Sequence, residues 1–125
     1  MKIRAAKASD RKAIDALISL YPKELVQDHT PSLGSFYVAE EKGRVVGCCA
    51  IDIYNRKLAE LRSLSVSPKH QGKGIATALV NACVQRARKR GVYQVLAITS
   101  NLAMFEKFDF HSFNKEKYAM FKYLR

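Results

Sequence analysis

Leu64-Ser65-Val66-Ser67-Pro68-Lys69-His70-Gln71-Gly72-Lys73-Gly74-Ile75-Ala76-Thr77 is the stretch that decides the fold. Leu61, Leu64 and Val66 are the apolar content of a strand that starts at Leu58, and Pro68 stops it. From Gly72 to Arg90, Ala76, Leu79, Val80, Cys83, Val84 and Ala87 recur at helical spacing, and Gly91 closes that helix at its C′ position. Gly72 and Gly74 lie between strand and helix, where the missing Cβ lets a ligand approach the backbone. The free N–H groups of the first helical turn point into the opening and carry the positive end of the helix dipole. With Lys69 and Lys73 nearby, a pyrophosphate can sit there; a helix start that happens to carry two glycines is the alternative at this point. The glycine spacing is neither that of a P-loop nor that of a dinucleotide fold.

The helix and the apolar run Val92–Ile98 after it make a strand, helix, parallel-strand crossover. The run reads as a buried parallel strand. Before the crossover come an extended start at Ile3–Ala5 and a helix capped by Ser9, with Ile14, Leu17, Ile18 and Tyr21 on its apolar face. A polar loop follows from Lys23 to Ser35. Strands Phe36–Ala39 and Val45–Ile53 flank a hairpin turn in which Gly43 supplies the positive φ. After the crossover, Leu102–Phe108 reads as a short helix, and Phe110–Phe113 and Tyr118–Leu124 as closing strands joined through residues 114–117. The order predicts one α/β domain over residues 1–125, with a mixed, mostly antiparallel sheet and one parallel crossover.

The 125 residues, 48% hydrophobic and 26% charged, suit a globular domain with its own core. No apolar run reaches the roughly 18 residues of a membrane span. The start Met1-Lys2-Ile3-Arg4 is not that of a signal peptide, so the expected location is cytoplasmic. Cys48, Cys49 and Cys83 have no metal-ligand spacing and read as buried free thiols; no metal is expected. The net charge of +11 attracts anions, which leaves phosphorylated coenzymes, nucleic acid and acidic proteins open as partners.

The stretch from Leu64 to Ala76 closely resembles the signature of the Gcn5-related N-acetyltransferases. That signature is a strand ending in Leu-x-Val, a proline two residues on, then Arg or Gln, Gly, x, Gly, Ile or Leu, and Gly or Ala. Every position is matched. The resemblance implies acetyl-CoA as co-substrate, lying in a notch where the two strands of the crossover splay apart. Leu64, Ser65 and Val66 would meet the pantetheine arm through backbone. Gln71, Gly72, Lys73, Gly74, Ile75, Ala76 and Thr77 would hold the pyrophosphate, and Asn101 would contact the coenzyme.

The same resemblance makes Glu60, six residues before Val66, the general base and the Val66 amide the oxyanion donor. A tyrosine acid is usual four residues after the asparagine, and Phe105 stands there instead. The family's Gly-Phe ending reads Asp109-Phe110. Tyr54, His111 and Tyr118 are the other candidate acids.

Within the superfamily, the acetyltransferase domain of N-acetylglutamate synthases and short relatives is most similar. The likeness rests on Phe36–Glu40 with Val46–Ala50, on Ala59–Leu64, and on Leu96–Thr99 with Phe105–Lys107. It places Arg62, Ser63 and Thr99 near the acceptor. The arginine that those enzymes carry between the first helix and the second strand has no counterpart; Lys23 and His29 are the basic residues of Tyr21–Ser35. The function implied is acetyl transfer to a primary amine, either an amino acid such as glutamate or a peptide or protein amine. A non-catalytic acyl-CoA- or RNA-binding module on this fold, or an acetyltransferase acting on aminoacyl-tRNA, are the alternatives. A homodimer is left open.

Overall fold

The computed structural model describes residues 1–112 and 120–124. Five strands form one sheet in the order β1 (Lys2–Ala5), β2 (Phe36–Glu41), β3 (Arg44–Ile53), β4 (Leu58–Val66), β5 (Gln94–Ala97). The first three pairings are antiparallel and β4–β5 is parallel, as expected. The β2–β3 hairpin turns on Lys42 (φ 51°) and Gly43 (φ 77°), a pair of left-handed residues that suits the strand twist.

Helix α1 (Arg11–Ser19) covers one face of the sheet and α2 (Ile75–Lys89) the other. Strand β3 feeds both cores by alternation. Cys48 and Ala50 pack with Ile14, Leu17 and Ile18 of α1, while Cys49 and Ile51 pack with Leu79, Val80 and Cys83 of α2. The three cysteines are buried and free, and burial pushes the Cys48 thiol up to about 12, so they act as small apolar side chains. At Gly47 the missing side chain lets α2 lie close against the sheet. A Cβ there would lie 3.1 Å from Leu79 Cδ1 and 3.2 Å from Ile75 Cγ2.

Four expectations need correction. Ser9 does not cap α1; it lies in a 3-10 turn at Ala8–Asp10, and the Asp10 carboxylate accepts the Lys7 N–H at 2.8 Å. Arg4 binds the same carboxylate at 2.8 and 3.0 Å, which fixes Asp10 rather than Ser9 at this corner. Helix α2 begins at Ile75, not Gly72, because Gly72 (φ 77°) and Gly74 (φ 80°) are left-handed and cannot carry a right-handed helix. β5 is only half-buried and is the outer strand among the described residues, and Tyr93 and Ile98 beside it are exposed. Of the two closing strands, Phe113, the 114–117 link, Tyr118 and Ala119 lie outside the described residues. Their described parts, 110–112 and 120–124, are not in strands. Phe110 instead packs edge-on against Phe105 of the short helix α3 (Leu102–Lys107).

Candidate functional site

The site begins with an extra residue in β4. Cys48 pairs with Ser65 and Ala50 with Arg62, so Cys49 faces both Ser63 and Leu64. This is a β-bulge, and Ser63 carries its strain at φ 56°. The bulge resets the alternation, so Leu61 before it and Leu64 and Val66 after it all join the α2-side core.

It also resets where the backbone points. The Ser67 N–H bonds the Val46 carbonyl at 2.8 Å, and successive residues of an antiparallel strand turn their N–H and C=O to opposite edges. Ser65 therefore bonds β3, while Leu64 and Val66 face away from it. Before the bulge, Ala59 and Leu61 face the same way and meet β5, but that pairing ends at Leu61–Ala97. The edge that bonds β5 thus runs on past it, with no strand beside Leu64 and Val66 among the described residues. This is the splay of the crossover, seen as bare backbone.

The Val66 carbonyl is already held. The Tyr21 hydroxyl donates to it at 2.6 Å, and the Gln71 side-chain amide donates to the Tyr21 oxygen at 2.8 Å and to that carbonyl at 3.4 Å. Tyr21 therefore ties the end of α1 to both the strand and the loop. In the sequence its ring fits the apolar stripe of α1, and nothing local marks the hydroxyl. What remains on the bare edge is the N–H and C=O of Leu64 and the N–H of Val66.

Beyond the strand, Gln71, Gly72, Lys73 and Gly74 are exposed. Gly74 is the N-cap of α2 and has no side-chain cap, and the first helical bond runs from the Ala78 N–H to the Gly74 carbonyl at 3.1 Å. The amides of Ile75, Ala76 and Thr77 therefore have no partner within the helix. They follow directly on the exposed Gly72–Gly74 loop and Lys73, and unpaired amides at the positive end of a helix dipole are what an anion seat requires.

The side chains on the other face of β4 form a polar row. Glu60 is half-buried and accepts a hydrogen bond from the Tyr54 hydroxyl. Burial first, and the Glu60 hydrogen bond second, push the Tyr54 phenol up to about 12, so it stays protonated at neutral pH. Arg62 bonds Asp52 at 3.1 Å and the His29 carbonyl at 2.9 Å, which fastens the Lys23–Ser35 loop to the sheet. Thr99 and Asn101 are engaged locally. The Asn101 N–H bonds the Thr99 hydroxyl at 2.9 Å, and Asn101 Oδ1 caps α3 through the Met104 N–H at 3.1 Å. Phe105 is buried, with ring centroids 5.6 and 5.3 Å from Phe108 and Phe110. Tyr54 is the phenol beside Glu60. No cluster of His, Cys, Asp or Glu fit for a metal ion occurs among the described residues, and no described helix is long and apolar enough to cross a membrane.

Comparisons with known proteins agree with this geometry. The profile of the Acetyltransferase (GNAT) family matches residues 7–110. An uncharacterized N-acetyltransferase of Chlorobaculum tepidum is 34% identical over 120 residues, covering 91% of this chain and 77% of that protein. A Mycobacterium tuberculosis protein solved in complex with CoA and NLQ superposes with a TM-score of 0.85 at 30% identity, covering 91% of this chain and 74% of that one. N-acetylglutamate synthase from Neisseria gonorrhoeae, complexed with coenzyme A and N-acetyl-glutamate, gives a TM-score of 0.75 at 25% identity. That match covers 85% of this chain and 27% of the synthase.

Proposed function

Since this chain belongs to the GNAT acetyltransferase family and is an acyltransferase that uses acetyl-CoA, we propose that it acetylates the amino group of a free amino acid, with glutamate as the type case. The observation that carries the reading is the bare edge of β4, which runs through the Pro68–His70 turn and the glycine loop to the unpaired amides at the start of α2. A pantetheine arm is an extended chain with amide groups, suited to add to that edge as a strand would. Leu64 and Val66 offer it their backbone groups, with Ser65 between them turned toward β3. The pyrophosphate then falls at Gln71–Thr77, and the side-chain NH2 of Asn101, which takes no part in capping α3, is left to contact the coenzyme.

For the transfer, the amine nitrogen attacks the thioester carbonyl carbon. The C–N bond forms, the C–S bond breaks, and its electron pair leaves on sulfur as CoA thiolate, which takes a proton from solvent. Glu60 accepts the proton lost by the amine, directly or through water, and Tyr54 orients it. Strand rise places Leu64 about 7 Å nearer to Glu60 than Val66 is. We therefore assign the oxyanion to the Leu64 N–H and leave the Val66 N–H to the pantetheine. No tyrosine acid is needed at Phe105, since a thiolate leaves unaided at neutral pH.

On the acceptor side we place Arg62 and Ser63, just past the last β4–β5 pair at Leu61–Ala97, and Thr99, two residues beyond Ala97. A guanidinium has more N–H donors than its bonds to Asp52 and His29 use, which leaves some for a substrate carboxylate. Likeness to N-acetylglutamate synthase supports an acidic amino acid. The test is thiol release from acetyl-CoA against a panel of amino acids and peptides. Glutamate-dependent release at millimolar concentration supports the proposal. Release with peptides alone would move the acceptor to proteins, and CoA binding without release would make the chain a binding module.

A further inference from the structure

Beside the loop, on the β3 side of β4, lies a cleft of about 370 Å³ lined by Glu41, Lys42, Arg44, Val46, His70 and Lys73. Lys73 belongs both to this cleft and to the glycine loop at the start of α2, so the two anion sites are contiguous. Glu41 is the only carboxylate in the lining, and it is already engaged by His70 Nε2 at 3.4 Å. Lys42, Arg44 and Lys73 make no ion pair among the described residues. The adjoining groove adds Lys69 to the same rim. The cleft therefore presents several cations and no free counter-charge.

Lys42 stands at φ 51° in the β2–β3 hairpin turn, a position asparagine also accepts, and that turn sets it in the wall of the cleft beside Arg44.

We propose that this cleft takes the 3′-phosphate on the ribose of coenzyme A, so that the protein selects CoA over its dephospho form. The proposal rests on the acetyl-CoA reading and deepens it. CoA carries two separate anionic groups, and its 3′-phosphate lies one nucleoside beyond the pyrophosphate. With the pyrophosphate on the amides of α2, a second phosphate within that reach needs its own cations, and the rim across Lys73 supplies them. Arg44 offers a paired N–H fork and Lys42 a point charge.

Calorimetric titration of the purified chain with CoA and with dephospho-CoA tests this, together with kcat and KM for the two acetylated forms. CoA is expected to bind at least about tenfold more tightly, as charge-assisted contacts to a phosphate imply. Arg44→Gln combined with Lys42→Asn should bring that ratio to about twofold or less. It should do so by weakening CoA alone, with kcat unchanged. Lys42→Asn by itself should melt no lower than the wild type, because asparagine accepts the left-handed turn, yet still weaken CoA. Equal affinity of the wild type for both forms would overturn the proposal and leave the acetyltransferase reading intact. So would equal weakening of both forms in the variants. Failure to bind either form would overturn both.

Discussion

Tyr21→Phe removes one oxygen and should disturb both the fold and the coenzyme site. The lost hydroxyl donates to the Val66 carbonyl at 2.6 Å and accepts from Gln71 at 2.8 Å. After substitution the carbonyl keeps only the Gln71 amide at 3.4 Å, at the limit of a hydrogen bond. Each such bond contributes about 1 kcal/mol net. The two together predict a loss of about 1–2 kcal/mol, because the ring stays packed and the Gln71 amide can turn to water. For a domain of this size that is a fall in Tm of about 3–8 °C. The functional effect is separate from the stability effect. Val66 lies on the bare edge and Gln71 opens the loop, so KM for acetyl-CoA should rise about three- to tenfold at temperatures where the variant is fully folded. Thermal melting and steady-state kinetics, with Gln71→Ala as a companion, measure both. A variant that melts within 1 °C of the wild type with the same KM would refute the role given to Tyr21.

Glu60→Gln should lower turnover about 100-fold at pH 7 and much less at high pH, where the amine is already neutral; equal loss across a pH–rate profile would remove Glu60 as the base. Gly47→Ala should destabilise by about 1–3 kcal/mol, because its Cβ would press on Ile75 and Leu79 at 3.2 and 3.1 Å and shift the first turn of α2; denaturant unfolding and KM for acetyl-CoA should worsen together. Asp10→Asn should cost about 1–3 kcal/mol at pH 7, because it removes the charge that Arg4 bonds at 2.8 Å and leaves Glu40, at 3.0 Å, as the one carboxylate on that guanidinium among the described residues. The hydrogen bond from Arg4 holds the Asp10 carboxyl below its ordinary value, so this stabilisation is complete above the unfolded-state pKa and is lost as pH falls through the folded one. Melting curves of wild type and variant should therefore converge in acid, and a constant gap down to the lowest pH would contradict the assignment.

What was legible in the sequence was whatever one residue type or one period decides locally. The bounds of β4 follow from its apolar residues and Pro68, and the hairpin at Lys42-Gly43 from its glycine. The loop between β4 and α2 follows from its two glycines, although these also delay the helix to Ile75. What was hidden depends on partners far along the chain. The bulge at Ser63 has no compositional mark and appears only in the register against β3. The bare edge follows from where β5 stops, which the apolar run Val92–Ile98 overstates, because apolar content does not separate an outer strand from an inner one. Nearer by, Asp10 rather than Ser9 holds the first corner because Arg4 of β1, six residues earlier, reaches its carboxylate, a pairing that cap propensity does not register. Tyr21 is read as packing by its spacing and as a hydrogen-bond donor only by its distance to Val66, 45 residues away.

The candidate site shows the same division. The Gly-x-Gly element is local and could be read residue by residue. The proposed acceptor side is assembled from β3, β4, the turn after β3 and the Lys23–Ser35 loop through Glu60 with Tyr54 and Arg62 with Asp52 and His29. None of those pairings is written in a single stretch of sequence.

The central claim is that the coenzyme lies along the free edge of β4 and ends on the amides of α2. Residue-resolved amide hydrogen exchange, with and without saturating CoA, tests it most directly. CoA is expected to slow exchange at Leu64 and Val66 and at the amides from Gly72 to Thr77, while Ser65, already bonded to β3, changes little. Bound CoA that leaves Leu64 and Val66 exchanging as in the free protein would contradict it.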